Sequence, residues 1–301
     1  MRTIDTHAHI VPQDCLDLLP EPLSASILVG DMTDVDVRLK EMDESGIQVQ
    51  VLSGFLALLS REAAVARQFN DSLARVVASH PDRFAGLALA PMAEPEKAPE
   101  ELDRAVKELG MVGVGIASNI NGTNLDAKEL GPFYAKVQEL DIPIFIHPAN
   151  VLGPDRLSDW YLSNFIGNVT DTAVAAASII FGGVFQEYPK LKIYLAHGGG
   201  SCPYIRGRWD HGWKAHDTGS TISKAPSEYM RLFYFDALTH SAQTLEFLVE
   251  SFGHDKIMLG SDYPFDMGDI DQVSHINEAN FLTDAQKEDV MGLTAAKLFK
   301  I

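Results

Sequence analysis

Residues 1–12 read MRTIDTHAHIVP, and within them Thr3–Ile10 has the β-branched and apolar content of a strand. Yet it carries an acid and two histidines: Asp5, His7 and His9. His7 and His9 stand two apart, so on a strand both point to the same face. Two imidazoles side by side on one strand suggest metal chemistry, if the rest of the chain supplies partners.

Working outward, seven more short apolar runs follow: Gln48–Ser53, Phe84–Ala90, Val112–Ser118, Pro143–His147, Leu191–His197, Leu232–Leu238 and Lys256–Asp262. Helix-period segments lie between and after them, at Val35–Glu44, Arg61–Ser79, Pro95–Leu109, Ala127–Leu140, Thr170–Gln186, Ser241–Phe252 and Asp284–Phe299. Alternation of this kind implies parallel strands joined by right-handed crossovers. Eight units predict a single (β/α)8 TIM-type barrel over residues 1–301, with an open doubly wound sheet as the alternative. The long irregular stretches, Val11–Thr33, Pro148–Asn168 and His211–Pro226, are expected over the C-terminal mouth.

Other polar residues fall at strand ends. His147 closes strand five in IFIHP, His197 closes strand six in YLAHGGG, and Asp262 closes strand eight in LGSDYPF. Chain direction brings all of them, with His7 and His9, to one barrel mouth. Such a donor set suits one borderline divalent ion, Zn2+ first, with Mn2+ or Fe2+ as alternatives. An HxH pair or a histidine at a strand end is, taken singly, commonly structural; four strands carrying such residues at the same end are much harder to explain that way. Gly198–Gly200 reads equally as a tight turn or as room for substrate. Asp236 and His240 follow strand seven within reach of the site. Phe265 and Trp160 are candidate pocket walls, and Asp5 either orients a ligand histidine or bonds backbone.

The chain has 301 residues, 24 basic against 42 acidic side chains, and a formal charge of −18. That surface disfavours nucleic acid and anionic membranes and leaves a small molecule as the expected partner. The two cysteines form no CxxC pattern. No basic and apolar leader precedes the first strand, and no apolar run approaches a membrane span. A cytoplasmic protein is expected.

The motifs THAHI, IHP, AHGGG and GSDYP resemble the amidohydrolase superfamily, in its branch of amidohydrolase-related decarboxylases. The resemblance runs through VRLKEMDESGI, PDRFAGLALAPM and FGGVFQEYPKLKIYLAHGGG to GSDYPF, nearly the whole chain, and is strongest toward the aminocarboxymuconate-semialdehyde decarboxylases. It implies that His7, His9, His147 and Asp262 hold one zinc ion per chain and that His197 stays off the metal as acid or base. Binuclear relatives use a lysine on strand four; VGVGIAS has none. Asp262 would also steer the proton of a metal-activated water. The resemblance further implies a homodimer in which Arg208 reaches across to a substrate carboxylate, while Arg206 reads as a surface or interface ion pair.

Two positions depart from that group. Its arginine between strand one and the first helix has no counterpart, because Val11–Asp34 contains Asp14, Asp17, Glu21 and Asp31 but no Arg or Lys. Its tryptophan after strand five aligns with Asn164. The expected activity is therefore non-oxidative decarboxylation of a small unsaturated or aromatic acid with fewer anionic groups. Hydrolysis of an amide, ester or lactone is the alternative, and a non-catalytic binding barrel a third class. Arg208, Phe265, Asn164 and His240 are the expected substrate contacts.

Overall fold

The computed structural model describes residues 2–20 and 32–301. Glu21 and Asp31 lie outside the described residues. Eight parallel strands pair in sequence order: β1 (Ile4–Ile10), β2 (Val49–Gly54), β3 (Phe84–Leu89), β4 (Gly113–Ala117), β5 (Pro143–His147), β6 (Lys192–Leu195), β7 (Phe233–Asp236) and β8 (Ile257–Met258). Single hydrogen bonds close the ring between the β8 exit and β1: Thr6 N to Leu259 O at 2.9 Å, Asp262 N to His7 O at 2.7 Å and His9 N to Tyr263 O at 2.7 Å. This is the barrel predicted above, not the open sheet.

One main helix backs each of the first seven strands: α1 (Val35–Glu44), α2 (Ala63–Ser79), α3 (Ala98–Lys107), α4 (Gly131–Leu140), α5 (Val169–Phe181), α6 (Cys202–Ala215) and α7 (Ala242–Phe252). Local chemistry sets several of their ends. Asp34 caps α1 by accepting from Val37 N at 3.0 Å, Ser241 caps α7, and Asp141 ends α4 in the left-handed region at φ 53°. The barrel interior is filled by Ile4, Val49, Val51, Leu87, Phe145, Tyr194 and Met258, while a larger apolar layer joins the outer strand faces to the helices.

Three expectations need correction. Helix α6 occupies Cys202–Ala215, so the irregular stretch placed at His211–Pro226 begins inside a helix. β8 and β6 are shorter than predicted, and Asp262 and His197 lie beyond the ladder in turns, not on the strands. Finally, Ser163–Phe181 is a continuous helical run long and apolar enough by composition to cross a membrane; here Ala173, Ala176, Ile179 and Ile180 bury its apolar side in the barrel's outer layer.

One irregularity in β1 positions the site. Ile4 and Asp5 pair with Val49 and Gln50, but Ala8 and His9 pair with Leu52 and Ser53. Three steps on β1 match two on β2, which is a β-bulge. Before it, Ile4 and Thr6 face the barrel interior, where Thr6 Oγ meets Tyr194 OH at 2.9 Å. After it the parity is reversed: Ala8 and Ile10 join the outer layer, and His7 and His9 turn inward.

Candidate metal centre

His7, His9, His147 and Asp262 converge at the C-terminal mouth, each offering one donor atom, and the four donors lie within 4.8 Å of one another. All four residues are buried. Asp262 Oδ1 stands 3.0, 3.1 and 3.7 Å from Nε2 of His7, His9 and His147. None of these four atoms makes a hydrogen bond of acceptable geometry.

The other ring nitrogens explain the arrangement. Nδ1 of His7 meets Asp236 Oδ2 at 2.7 Å, Nδ1 of His9 meets the Gly54 carbonyl at 3.2 Å, and Nδ1 of His147 meets the Pro148 carbonyl at 3.0 Å. Carbonyl oxygens only accept, so Nδ1 of His9 and His147 must donate, and their Nε2 lone pairs point inward. Inward lone pairs around a carboxylate oxygen repel one another unless a cation sits among them. The residues fit a single divalent ion, and β4 places no lysine there to bridge a second.

Burial disfavours charge on each imidazole. For His7 the Asp262 and Asp236 carboxylates outweigh it and push the pKa up to about 10. For His9 and His147 burial prevails and holds them below the usual histidine range. Burial would raise Asp262, but the His7 charge and the neighbouring imidazoles keep it well below the usual carboxylate range. The metal-free cluster therefore holds a proton on His7 through the neutral range, and an incoming ion must displace it. Metal affinity should rise with pH, and calorimetry in buffers of different ionisation enthalpy should find about one proton released per ion. Equal affinity at about pH 6 and about pH 8 would contradict this.

His197 stands beside the cluster, its Nε2 3.3 Å from Asp262 Oδ2. Asp236 fixes its turn, accepting from His197 N at 2.8 Å through Oδ2 and from Gly198 N at 2.6 Å through Oδ1. His197 and Asp262 have φ of 56° and 59°. Non-glycine residues in this region cost ~1–3 kcal/mol each and persist where the surroundings over-determine them. Gly198, Gly199 and Gly200 are also left-handed. A Cβ at Gly199 would strike the Phe235 ring and one at Gly200 the Val169 carbonyl, so packing of the turn demands these two glycines.

Two clefts open from the cluster. An apolar one of about 660 Å3 is lined by His197, Asp262, Leu238, Leu248, Phe247 and Phe165. A more polar one of about 930 Å3 includes His147, Asp262, Phe265, Arg61, Asn121 and Asn150. Asn164 borders both. Phe265 packs its ring 5.1 Å from His9, and His240 lines the apolar cleft, so three of the four expected substrate contacts face these clefts. Arg208 does not. It is exposed on α6 and makes no hydrogen bond or ion pair among the described residues. Trp160, 81% exposed, lines neither cleft, against the expectation.

Further expectations are revised. Arg206 forms no ion pair among the described residues; it donates to Pro203 O and Ser251 Oγ and lies over Phe247 and Phe252. Of the two readings of Asp5 the backbone bond holds: His7 N donates to its Oδ1 at 3.1 Å, and it meets no imidazole among the described residues. The β1–α1 segment itself carries no Arg or Lys, as read above, but cations from elsewhere approach it: Asp14 pairs with Arg75, and Arg61, from the β2–α2 connection, donates to Leu18 O at 3.1 Å while lining the polar cleft. Arg61 lines this cleft without having been among the expected contacts. Its signal was a cation in a connection leaving the C-terminal end of a barrel strand.

A family model described as amidohydrolase matches residues 4–301. The chain belongs to the amidohydrolase family. The 2-amino-3-carboxymuconate-6-semialdehyde decarboxylase of Dictyostelium discoideum is 38% identical to this amidohydrolase over 267 residues, covering 86% of this chain and 74% of its own length. The gamma-resorcylate decarboxylase of Rhizobium sp. strain MTP-10005 is 33% identical over 319 residues, covering 94% and 95%. The structure of the dihydroxybenzoic acid decarboxylase from Polaromonas sp. JS666, with bound manganese and the inhibitor 2-nitroresorcinol, superposes with a TM-score of 0.86 at 30% identity, covering 99% of this chain and 97% of that one.

Proposed function

We propose that this amidohydrolase is a metal-dependent, non-oxidative decarboxylase of a small aromatic or unsaturated acid, with residues 1–301 acting as one catalytic barrel domain. The observation that carries the reading is the set of four buried, unbonded donor atoms with His197 beside them, outside the cluster. His7, His9, His147 and Asp262 would hold the ion, which when bound supplies a Lewis acid for the substrate's oxygens. Manganese is the ion found in the 30%-identical Polaromonas enzyme; zinc is the other ion this donor set takes. Metal analysis of the purified protein decides between them, with one equivalent expected.

The chain's own groups account for the remaining chemistry. The apolar cleft beside His197 takes the ring or conjugated system, and Phe265 and Asn164 bound its position. His197 delivers a proton to the carbon bearing the carboxylate. The C–CO2 bond then breaks, its electron pair restores the ring, and CO2 leaves. Asp262 Oδ2, beside Nε2, orients His197 for that transfer. Hydrolysis lacks comparable support, since the relatives described above are decarboxylases.

Substrate choice follows from the clefts. Arg61 is already engaged by Glu62, at 3.2 and 3.3 Å, and is a partly neutralised cation. An aromatic mono-acid suits this site better than a muconate diacid. The expected result is a kcat/KM for hydroxybenzoates at least about tenfold above that for the muconate compound, scored by CO2 release; the reverse order would overturn the assignment. A homodimer in which Arg208 of the partner subunit meets the substrate is also proposed, supported by a guanidinium that is exposed and has no hydrogen bond or ion pair among the described residues. Sedimentation, and restored activity on mixing Arg208→Ala with a metal-ligand variant, test it. Two free, buried thiols, Cys15 and Cys202, suit a reducing cytoplasm.

A further inference from the structure

The bulge that turns His7 and His9 inward is held from outside the barrel. An extra residue in a strand leaves an amide without a ladder partner. Here the amide of His7 donates to the side chain of Asp5, Oδ1, at 3.1 Å. The same oxygen accepts from Ser261 N at 2.9 Å, and Oδ2 accepts from Ser261 Oγ at 2.6 Å and from Gln50 Nε2 at 2.9 Å. The Gln50 carboxamide is used at both ends, because its Oε1 accepts from Arg38 Nη1 at 3.0 Å. Arg38 Nη2 donates to the carbonyl of His9 at 2.6 Å, and its guanidinium lies 4.6 Å from the centre of the Tyr263 ring. Arg38, Gln50, Asp5 and Ser261 are all buried.

A cation on α1 and an anion on β1 are thus linked through one amide. Their bonds end on the peptide groups of the two histidines and on the residue before Asp262. A buried charge pair of this kind is costly to assemble and offers little net stability over an apolar packing. Its contacts go to the backbone that aims the donor atoms.

We propose that Arg38, Gln50, Asp5 and Ser261 form a positioning network that locks the β1 bulge and thereby sets the direction of the His7, His9 and Asp262 donors. The network acts through the backbone of both segments and touches neither substrate nor ion. This inference rests on the reading of the cluster as a metal site.

The test measures Mn2+ binding to the metal-stripped chain by calorimetry, and the spectrum of the bound ion by electron paramagnetic resonance. Gln50→Leu cuts the link, and Ser261→Ala removes one hydroxyl with little risk to folding. Each should weaken Mn2+ binding by about ten- to a hundredfold, the usual effect of removing an outer partner of a metal ligand, and should broaden the spectrum. Glu101→Gln, a buried change on α3 in the separate group with Arg104 and Asn70, should lower the melting temperature and leave Mn2+ affinity unchanged. If wild type binds no Mn2+ or Zn2+, the metal reading fails. If wild type binds and both network variants bind equally well, or Glu101→Gln weakens binding as much, the positioning role is overturned.

Discussion

Replacing His197 with asparagine should leave one metal ion per chain and reduce kcat by about 10²–10⁴-fold, the range general acid–base groups contribute. Asparagine is chosen because position 197 has φ of 56°, where it is better tolerated than alanine. It cannot deliver a proton to carbon near neutral pH. The turn should survive, since Asp236 holds it through the backbone amides of residues 197 and 198. Metal content by mass spectrometry and steady-state CO2 release are the two measurements. A loss under about tenfold would remove His197 from the proton transfer. Loss of the ion would make it a ligand.

The second large effect belongs to Asp262. Its Oδ1 is the atom on which the three imidazole Nε2 atoms close, and it carries the only negative charge among the four donors. Asp262→Asn keeps the shape and tolerates φ of 59°, but presents a neutral amide to the ion. Metal retention through gel filtration should drop well below one equivalent. Activity should fall by at least about 10³-fold, because a Lewis acid contributes several kcal/mol to the barrier and each 1.36 kcal/mol is about tenfold. His147→Ala should behave likewise. Two ions per wild-type chain, or unchanged retention in these variants, would refute the mononuclear site.

These residues also mark where reading the chain works. Period-2 and period-3.6 patterns are local, so the eight strands and six of the seven helices α1–α7 were legible before any contact was known. Five candidate donors were legible because HxH, IHP, AHGGG and GSDYP lie in or end apolar runs and all barrel strands run the same way; setting His197 apart from the other four came from the family resemblance. The helix at Cys202–Ala215 was obscured by glycines, aromatics and charges that hide its period, and only packing against the barrel reveals it.

What the sequence by itself determined is the alternation, the direction of the strands, and which side chains could meet at one mouth. The tertiary structure decided how they meet. Register is a relation between strands, so the bulge that reverses the parity of β1 between Ile4 and Ala8 cannot be seen on β1 alone. Between the two readings of Asp5, imidazole partner or backbone bond, only the bulge decides: the unpaired amide of His7 claims it, while Asp236, 229 residues away, takes the ring of His7. Arg61 faces the site and Trp160 faces solvent because loop paths, which no periodicity encodes, carry one over the mouth and the other away from it.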